Sequence, residues 1–240
     1  MRLFFIRHGQ SENNALWAIT QSNLERVSDP SITEIGRRQI EATARFMDFC
    51  ITSDLSANTD PSCGFETGNV ILFCSLMTRA IQSGTIISQR LNLPLNAHLD
   101  IHENGGIYQE NFETGERLGD KGLSSTELQE QFPDLRYPSE MKTDGWWGRP
   151  FEERELRRER AKKVLASLMD AYGTTSDTLI FVSHAGFYNY FMREVLGMRH
   201  DTQVWFEFFN GAVTLLNFDN SSVNVFYNNR YDFMPLDIVT

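Results

Sequence analysis

The stretch Leu3-Phe4-Phe5-Ile6-Arg7-His8-Gly9-Gln10-Ser11 decides the fold, because its character changes abruptly after the sixth residue. Residues 2–6 form a short apolar, aromatic-rich run that is typical of a buried strand. Residues 7–11 are mostly polar or glycine, as in turns and loops, and a helical pattern follows them. A strand that ends in a polar loop before a helix is the repeating unit of an α/β sheet, so further copies of this unit are expected along the chain.

The strand–loop–helix order recurs along the chain. Residues 70–74 predict a second buried strand before a helix over 76–90, and residues 178–182 predict another before a helix that ends near residue 196. Between these units, residues 95–101 predict a strand. A capping-box spacing at residues 31–34 predicts a helix over about 33–50.

The helix predicted over 151–172 has an apolar stripe and a basic run. The stripe consists of Leu156, Ala161, Leu165, Leu168, Met169 and Tyr172. Glutamates are interleaved with the basic residues, which favours a solvated helix face over a nucleic-acid patch.

The last part of the chain changes to β-rich runs over residues 203–209, 212–218 and 222–227, which short turns join as in antiparallel hairpins. The whole pattern predicts an α/β fold, a three-layer αβα sandwich with a mainly parallel sheet and antiparallel strands at the C-terminal end. We expect one domain over residues 1–240, with a surface insertion near 52–69 and an inserted cap near 104–150. The β-rich tail either offers an edge for a homodimer or is covered.

Composition limits the classes of function. The chain has 240 residues, of which 41% are hydrophobic, and a formal net charge of −10. These values exclude a disordered chain and argue against a nucleic-acid partner or an anionic membrane, each of which requires a basic face. No apolar run approaches the roughly 20 residues of a membrane span.

Cysteine usage bears on the compartment. Cys50, Cys63 and Cys74 are odd in number and include no C-x-x-C pair. This argues against a disulfide framework and a zinc knuckle, and it predicts a reducing, cytoplasmic location.

Polar residues follow three of the predicted strands. Arg7 and His8 follow the first strand, Ser75 and Arg79 the second, and Ser183 and His184 a later one. Ligands of open α/β sheets bind outside the carboxyl ends of the strands, so these side chains are expected to converge. Two histidines and two arginines at one edge predict a local basic pocket for a small phosphorylated substrate.

With these residues, the sequence resembles the histidine phosphatase superfamily, in the branch that includes cofactor-dependent phosphoglycerate mutases and fructose bisphosphatases. Four ordered segments carry the resemblance: Arg7-His8-Gly9-Gln10-Ser11 with Asn14; Ile32-Thr33-Glu34-Ile35-Gly36 with Gln39; Ser75-x-x-x-Arg79-Ala80-x-Gln82-Ser83; and Ser183-His184-Ala185-Gly186.

The resemblance implies that His8 is a nucleophile that takes the phosphoryl group and forms a phosphohistidine, which water then hydrolyses. A histidine attacks only when neutral, and neighbouring cations lower its pKa while they bind phosphate oxygens. The catalytic candidates are Arg7, His8, Arg79, Glu103 and His184. The candidate phosphate-binding residues are Arg7, His8, Asn14, Arg79, His184 and Ala185.

Glu103 is the predicted proton donor, because the family resemblance implies that the proton-donating carboxylic acid follows the third strand closely. The sequence departs from the family pattern here, since its glycines come two and three positions after the acid rather than four. Asp100 and Glu110 therefore remain alternatives for the donor.

The substrate is expected to contact the cap. The candidate contacts are Tyr108, Arg117, Lys121, Trp146, Trp147 and Arg149. Paired tryptophans more often pack a cap than stack on a ligand, and Arg117 and Lys121 are alternatively plain surface charges.

These features favour a phosphomonoesterase that acts on small phosphorylated metabolites without a metal or a cofactor. The phosphoglycerate mutase branch carries a long E-R-x-Y-G-type signature, and this chain has Glu103-Asn-Gly-Gly-Ile-Tyr in its place. Hydrolysis is therefore favoured over intramolecular transfer. The alternatives are a phosphomutase and an inactive module that binds a phosphorylated ligand.

Overall fold

The computed structural model describes residues 1–52, 68–199, 201–219 and 222–240. Most of the insertion predicted near 52–69 therefore lies outside the described residues. The strands are β1 Arg2–Arg7, β2 Val70–Cys74, β3 Leu95–Ala97, β4 Tyr108–Glu110, β5 Arg117–Gly119, β6 Leu135–Arg136, β7 Thr178–Ser183, β8 Val213–Asp219 and β9 Ser222–Arg230. The helices are α1 Glu12–Thr20, α2 Glu34–Thr52, α3 Thr78–Leu91, α4 Ser125–Gln131, α5 Arg154–Tyr172 and α6 Ala185–Val195, and a 3₁₀ turn spans Leu236–Ile238.

The main sheet has seven strands in the order β6-β3-β2-β7-β1-β8-β9. Strands β6, β3, β2, β7 and β1 pair in parallel, whereas β8 pairs antiparallel with both β1 and β9. The prediction of a mainly parallel sheet with antiparallel strands at the C-terminal end is confirmed.

Helices cover both faces of this sheet. Successive side chains of a strand point to opposite faces, and in β1 Phe4 belongs to the core under α2 and α3 while Phe5 belongs to the core under α5 and α6. The first core also takes Ile40 of α2, and the second takes Leu168 of α5. This arrangement confirms the three-layer sandwich.

Two predicted strands differ from the structure. Residues 203–209 form no strand, because side chains from neighbouring elements bind their backbone: Asn189 both donates to Phe206 O at 3.0 Å and accepts from Phe206 N at 2.7 Å. The strand predicted over 95–101 ends at Ala97, where the His98 ring accepts from Asp100 N at 3.1 Å and closes a turn.

The helix predicted over 151–172 begins at Arg154. Its predicted apolar stripe is wrong at Leu156, which is 58% exposed. Arg160 is buried instead, because its guanidinium forms a two-pronged ion pair with Glu152 at 2.6 and 2.7 Å.

The cap region contains the antiparallel pair β4–β5 and the helix α4. It is more closely joined to the sandwich than the sequence indicated, since β6 extends the main sheet beside β3.

Cys50 is disulfide-bonded, and Cys74 is a free, buried thiol. The argument against disulfides is therefore wrong for Cys50, because an odd number of cysteines does not exclude a single bridge. The cysteine argument for a reducing compartment no longer holds. In the described ranges, no helix has both the length and the apolar character needed to cross a bilayer.

Candidate active site

The ends of three parallel strands bring the predicted histidines together. Arg7 ends β1 opposite Ser183, the last residue of β7, so that His8 and His184 leave adjacent strands side by side. His8 N donates to Ser183 O at 3.0 Å, and the two imidazole centroids are 5.0 Å apart. On the other side of β7, Ser75 N donates to Val182 O at 3.1 Å. The predicted convergence at the carboxyl edge of the sheet is therefore present in the structure.

Hydrogen bonds define the tautomer of His8. Its Nδ1 lies 2.7 Å from the carbonyl oxygen of Gly9, which can only accept. On the other side of the ring, Arg79 Nε donates to Nε2 at 3.2 Å. These partners assign the proton to Nδ1 and leave a lone pair on Nε2, which is the arrangement a nucleophilic histidine needs.

The electrostatic surroundings keep this imidazole neutral. Burial first, and then the positive charges of Arg79 and Arg7, hold the pKa of His8 well below its ordinary value of 6.5. The hydrogen bond to Gly9 O acts in the opposite direction. At neutral pH His8 Nε2 is therefore unprotonated, and its lone pair accepts the hydrogen bond from Arg79 Nε.

His184 is fully buried beside His8, and its ring is held by Ser75. Ser75 Oγ lies 2.6 Å from His184 Nε2 and also accepts a long bond from Met77 N at 3.4 Å. His184 Nε2 is the acceptor within reach of the Ser75 hydroxyl proton among the described contacts. We therefore assign that proton to the bond with Nε2 and the ring proton of His184 to Nδ1. His184 Nδ1 is buried and has no hydrogen-bond partner among the described residues. Burial and nearby Arg79 hold the pKa of His184 well below 6.5, so it is a neutral donor.

The two arginines are fixed differently. Arg7 donates from one terminal nitrogen to Phe208 O, and its buried Nε has no partner in the described part of the chain. Burial lowers the pKa of Arg7 to about 10, which leaves it positive at neutral pH. Arg79 faces Asp29, with a nitrogen-to-oxygen distance of 3.7 Å.

Asp29 was not identified from the sequence. Its carboxylate accepts from Thr78 N at 3.1 Å and from the Thr78 hydroxyl at 2.8 Å, and thus holds the first residue of α3. Burial raises the pKa of Asp29, while Arg79 and Thr78 oppose that shift. No spacing rule pointed to Asp29, because its partners are 49 and 50 residues away in the sequence.

Close backbone packing holds the loop that carries His8. A Cβ on Gly9 would lie 2.4 Å from Gly36 O, and a Cβ on Gly36 would lie 2.2 Å from Gln10 O. The loop is further held by Gln39, whose Oε1 accepts from Gln10 N at 2.7 Å. The first two sequence segments of the family resemblance thus contact each other directly, which explains why both contain glycine.

The remaining phosphate candidates lie at helix starts. Asn14 Oδ1 accepts from Ser11 N at 3.1 Å and so completes the capping box of α1, in which Ser11 is the N-cap residue. The same oxygen accepts from Asn210 Nδ2 at 3.2 Å. Asn210, another residue that the sequence did not single out, also donates to His8 O at 3.1 Å. Ala185 is the first residue of α6, directly after His184.

Glu103 lies against the same helix start. Its carboxylate accepts from Gly186 N and Phe187 N, each at 3.1 Å, and from Asn104 N at 2.7 Å. Glu103 also acts electrostatically on both Arg7 and Arg79. The two alternative acids have other partners, since Asp100 pairs with Lys163 at 2.8 Å and Glu110 with Arg117 at 3.1 Å.

Three of the six cap candidates, Arg117, Lys121 and Arg149, line one surface pocket, and the other three do not line it. Trp146 and Trp147 are buried, and Trp147 packs edge-on against His102 at 4.7 Å. Lys121 and Arg149 have exposed side chains, and the Arg149 guanidinium carbon lies 4.0 Å from the Trp147 ring centroid. Arg117 lies over the Phe151 ring at 4.9 Å.

Tyr108 is the cap candidate with a direct link to the loop after α1. Arg26 donates to its hydroxyl, and the Arg26 guanidinium carbon lies 4.5 Å from its ring centroid. The sequence did not indicate Arg26, since a single arginine in a polar loop carries no signal. Among the described residues, no group of three His, Cys, Asp or Glu side chains has a geometry that could hold a metal ion.

Comparisons with known proteins agree with this geometry. The sequence model described as "Histidine phosphatase superfamily (branch 1)" matches residues 64–230. This range includes the segments with Arg79 and His184, while the segment with His8 precedes it. The comparison with curated proteins found no match.

Solved structures share the fold over nearly the whole chain at low identity. A mycobacterial glucosyl-3-phosphoglycerate phosphatase is 16% identical, with a TM-score of 0.57 over 95% of this chain and 98% of that one. The alpha-ribazole phosphatase from Shigella flexneri is 14% identical, with a TM-score of 0.60 over 96% and 97%. A phosphoserine phosphatase from Entamoeba histolytica, solved as a mutant with phosphoserine, is 16% identical, with a TM-score of 0.55 over 98% and 99%.

At such identities the solved structures establish the fold alone, whereas the family match covers more than half of the chain. This chain belongs to the histidine phosphatase superfamily, branch 1.

Proposed function

We propose that the protein is a phosphomonoesterase that hydrolyses small phosphorylated metabolites through a phosphohistidine on His8. One observation carries the proposal most directly. The ring of His8, which carries a lone pair on Nε2, has its centroid 5.0 Å from that of a second buried histidine, His184, whose Nδ1 has no partner among the described residues. A phosphoryl oxygen next to His8 would supply the missing acceptor for His184.

The substrate phosphoryl group would bind among positive and N–H donor groups. Arg7 and Arg79 offer guanidinium donors, His184 offers Nδ1–H, and the start of α6 offers backbone amides. Helix N-termini and arginine forks both suit phosphate oxygens, and they stabilise charge as it spreads in the transition state.

The first step transfers the phosphoryl group to the enzyme. The His8 Nε2 lone pair forms a bond to phosphorus while the bond from phosphorus to the ester oxygen breaks. Glu103, in its acid form, gives its proton to the departing oxygen, so the alcohol leaves neutral. The imidazole retains its Nδ1 proton, and the Gly9 carbonyl oxygen stabilises the positive ring that results.

The second step returns the enzyme to its starting state. Water attacks phosphorus, Glu103 takes one proton from it, and the bond to His8 Nε2 breaks. Inorganic phosphate leaves, and His8 is again neutral with its proton on Nδ1.

Glu103 would have to move within this cycle. In the structure its carboxylate accepts from the amides of Gly186 and Phe187. Phosphoryl oxygens that bind the same amides would displace it toward the ester oxygen, where a proton donor is needed. Glu103 is therefore preferred over Asp100 and Glu110, which are paired with Lys163 and Arg117.

The proposal is tested by phosphate release from an aryl phosphate in excess EDTA. Wild type is expected to turn over, His8→Ala to lose activity, and His98→Ala, a matched histidine outside the site, to keep it. Equal activity in His8→Ala, or loss of activity on chelation, would contradict the proposal.

A phosphomutase is the alternative, because the same phosphohistidine serves both reactions. It would be supported if wild type released no phosphate from a panel of metabolites but moved a labelled phosphoryl group between two positions of one substrate. The absence of the mutase branch's basic signature after Glu103 favours hydrolysis.

A further inference from the structure

We propose that Arg26 is a specificity residue that binds a second anionic group, a carboxylate or a second phosphate, on the alcohol part of the substrate. This inference rests on the proposed phosphatase function and narrows its substrate class. The substrates would be phosphomonoesters of anionic alcohols rather than of neutral or cationic ones.

Arg26 lies near the phosphoryl-binding residue Arg79. The segment that carries it is fixed on one side by Asn13, which donates to Val27 O at 2.8 Å and accepts from Val27 N at 3.1 Å. Three residues after Arg26, Asp29 faces the Arg79 guanidinium. Arg26 is therefore held close to the phosphoryl-binding arginine and is not carried on a free loop.

The contact with Tyr108 places Arg26 beside the region where the alcohol part of the substrate would lie. Tyr108 lies five residues after Glu103, beyond a tight turn in which Gly106 N donates to Glu103 O at 3.0 Å. Because Glu103 must reach the ester oxygen, the alcohol would extend toward the residues that follow Glu103. Arg26 and Tyr108 both act electrostatically on Arg79, which supports the same placement.

The charge of Arg26 has no acidic partner. In the described part of the chain, no carboxylate oxygen lies within ion-pair distance of Arg26, and its buried Nε has no hydrogen-bond partner. Asp120 lies in the same region, but its carboxylate accepts from the Ser28 hydroxyl at 3.2 Å and from Gln109 Nε2 at 3.3 Å. By contrast, Arg117 is paired with Glu110.

The Tyr108 ring keeps the guanidinium in place for a ligand. It lies between Arg26, at 4.5 Å, and the Phe151 ring, whose centroid is 4.8 Å away at an interplanar angle of 81°. An aromatic face holds a cation without neutralising it. An arginine that is fixed, partly desolvated and still charged is suited to fork-like binding of a carboxylate or phosphate.

Two matched phosphonates test the inference without requiring turnover. 3-Phosphonopropionate and propylphosphonate have the same number of carbons and differ by a carboxylate in place of a methyl group. Isothermal titration calorimetry of wild type is expected to show that 3-phosphonopropionate binds about tenfold to a hundredfold more tightly than propylphosphonate. This factor is the gain in affinity that one charge-assisted hydrogen bond provides. Arg26→Gln is expected to abolish the preference, Arg26→Lys to restore part of it, and Arg37→Gln, a surface control, to leave it intact.

Hydrolysis of 3-phosphoglycerate and glycerol 3-phosphate gives the parallel kinetic test. Arg26→Gln is expected to lower kcat/KM about tenfold or more for the first substrate and by a much smaller factor for the second. Equal binding of the two phosphonates by wild type, or equal losses on both substrates in Arg26→Gln, would overturn the role of Arg26 while leaving the phosphatase proposal in place. An Arg26-dependent preference in binding without any phosphate release would instead overturn the phosphatase proposal alone. Failure to bind either phosphonate, together with no phosphate release from either substrate, would overturn both.

Discussion

The ion pair between Glu152 and Arg160 gives the sharpest prediction about stability. Both side chains are 7% exposed, and two nitrogen-to-oxygen bonds of 2.6 and 2.7 Å join them. Arg160 also donates to the carbonyl oxygens of Asp100 and His102, at 2.8 and 2.9 Å. The pair therefore fixes the backbone that leads directly into Glu103.

Glu152→Gln removes the negative charge but keeps the shape and one acceptor. Breaking a buried pair from one side typically costs about 3–5 kcal/mol, because the remaining charge stays buried without compensation. The retained amide oxygen offsets part of this cost, so we expect the free energy of unfolding to fall by about 2–3 kcal/mol. For a chain of this size, that loss corresponds to a decrease in Tm of roughly 4–12 °C.

Urea and thermal unfolding measure the effect, with Lys163→Gln as the control. Lys163 forms an ion pair of similar length with Asp100, but its side chain is 70% exposed, and such pairs contribute about 0–1 kcal/mol. The double variant Glu152→Met/Arg160→Met is expected to recover part of the stability, since no unpaired charge remains, although the carbonyl oxygens of Asp100 and His102 lose their donor. A Tm for Glu152→Gln within 2 °C of wild type, or no recovery in the double variant, would refute this reasoning.

Three further predictions follow from the site. Gly36→Ala places a Cβ 2.2 Å from Gln10 O, so we expect it to lower the free energy of unfolding by about 1–3 kcal/mol and to lower kcat. The control Glu41→Ala, on the exposed face of the same helix, is expected to change neither quantity. Normal turnover in Gly36→Ala would contradict this prediction. Ser75→Ala removes the hydroxyl that lies 2.6 Å from His184 Nε2 and is expected to lower kcat by about tenfold. NMR of labelled histidine is expected to show a mixture of His184 tautomers in this variant. An unchanged tautomer would argue against the assignment of the ring proton to Nδ1 of His184. The pKa values of His8, His102 and His184 are held well below 6.5, mainly by burial. Between those values and about 6.5 the unfolded chain binds more protons than the folded one, so stability is lost as the pH falls through that window, by about 1.4 kcal/mol per pH unit for each histidine. Urea unfolding at pH 7.5 and 5.5 measures this loss. His102→Gln is expected to lower the slope of the unfolding free energy against pH by the contribution of one proton. An unfolding free energy that does not change with pH would disprove the prediction.

The sequence predicted the sheet well, because its central strands are buried on both faces. Continuous apolar runs such as residues 70–74 have few alternatives to a parallel strand once helical patterns flank them. The same reasoning failed for residues 203–209, where the apolar pattern is present but side chains of Asn189 and Arg193 bind the backbone. Long-range side-chain bonds of this kind leave no periodic signal.

The site was predictable where it follows strand ends and unpredictable where it depends on tertiary pairing. His8, Arg79 and His184 were indicated because parallel strands deliver their ends to one edge. Asp29 and Asn210 contact the site, and Arg26 contacts Tyr108, from segments whose polar residues resemble any exposed loop. Arg160 was missed because helical periodicity cannot distinguish a buried arginine with a carboxylate partner from a solvated one.

The most direct test of the central claim is to trap the phosphoryl group on the enzyme. Wild type is incubated briefly with a ³²P-labelled substrate, quenched in alkali and digested for peptide mapping. The account predicts an alkali-stable, acid-labile label on the peptide that contains His8, and no label in His8→Ala. A label on any other residue, or phosphate release by wild type with no labelled intermediate on rapid quenching, would contradict the account.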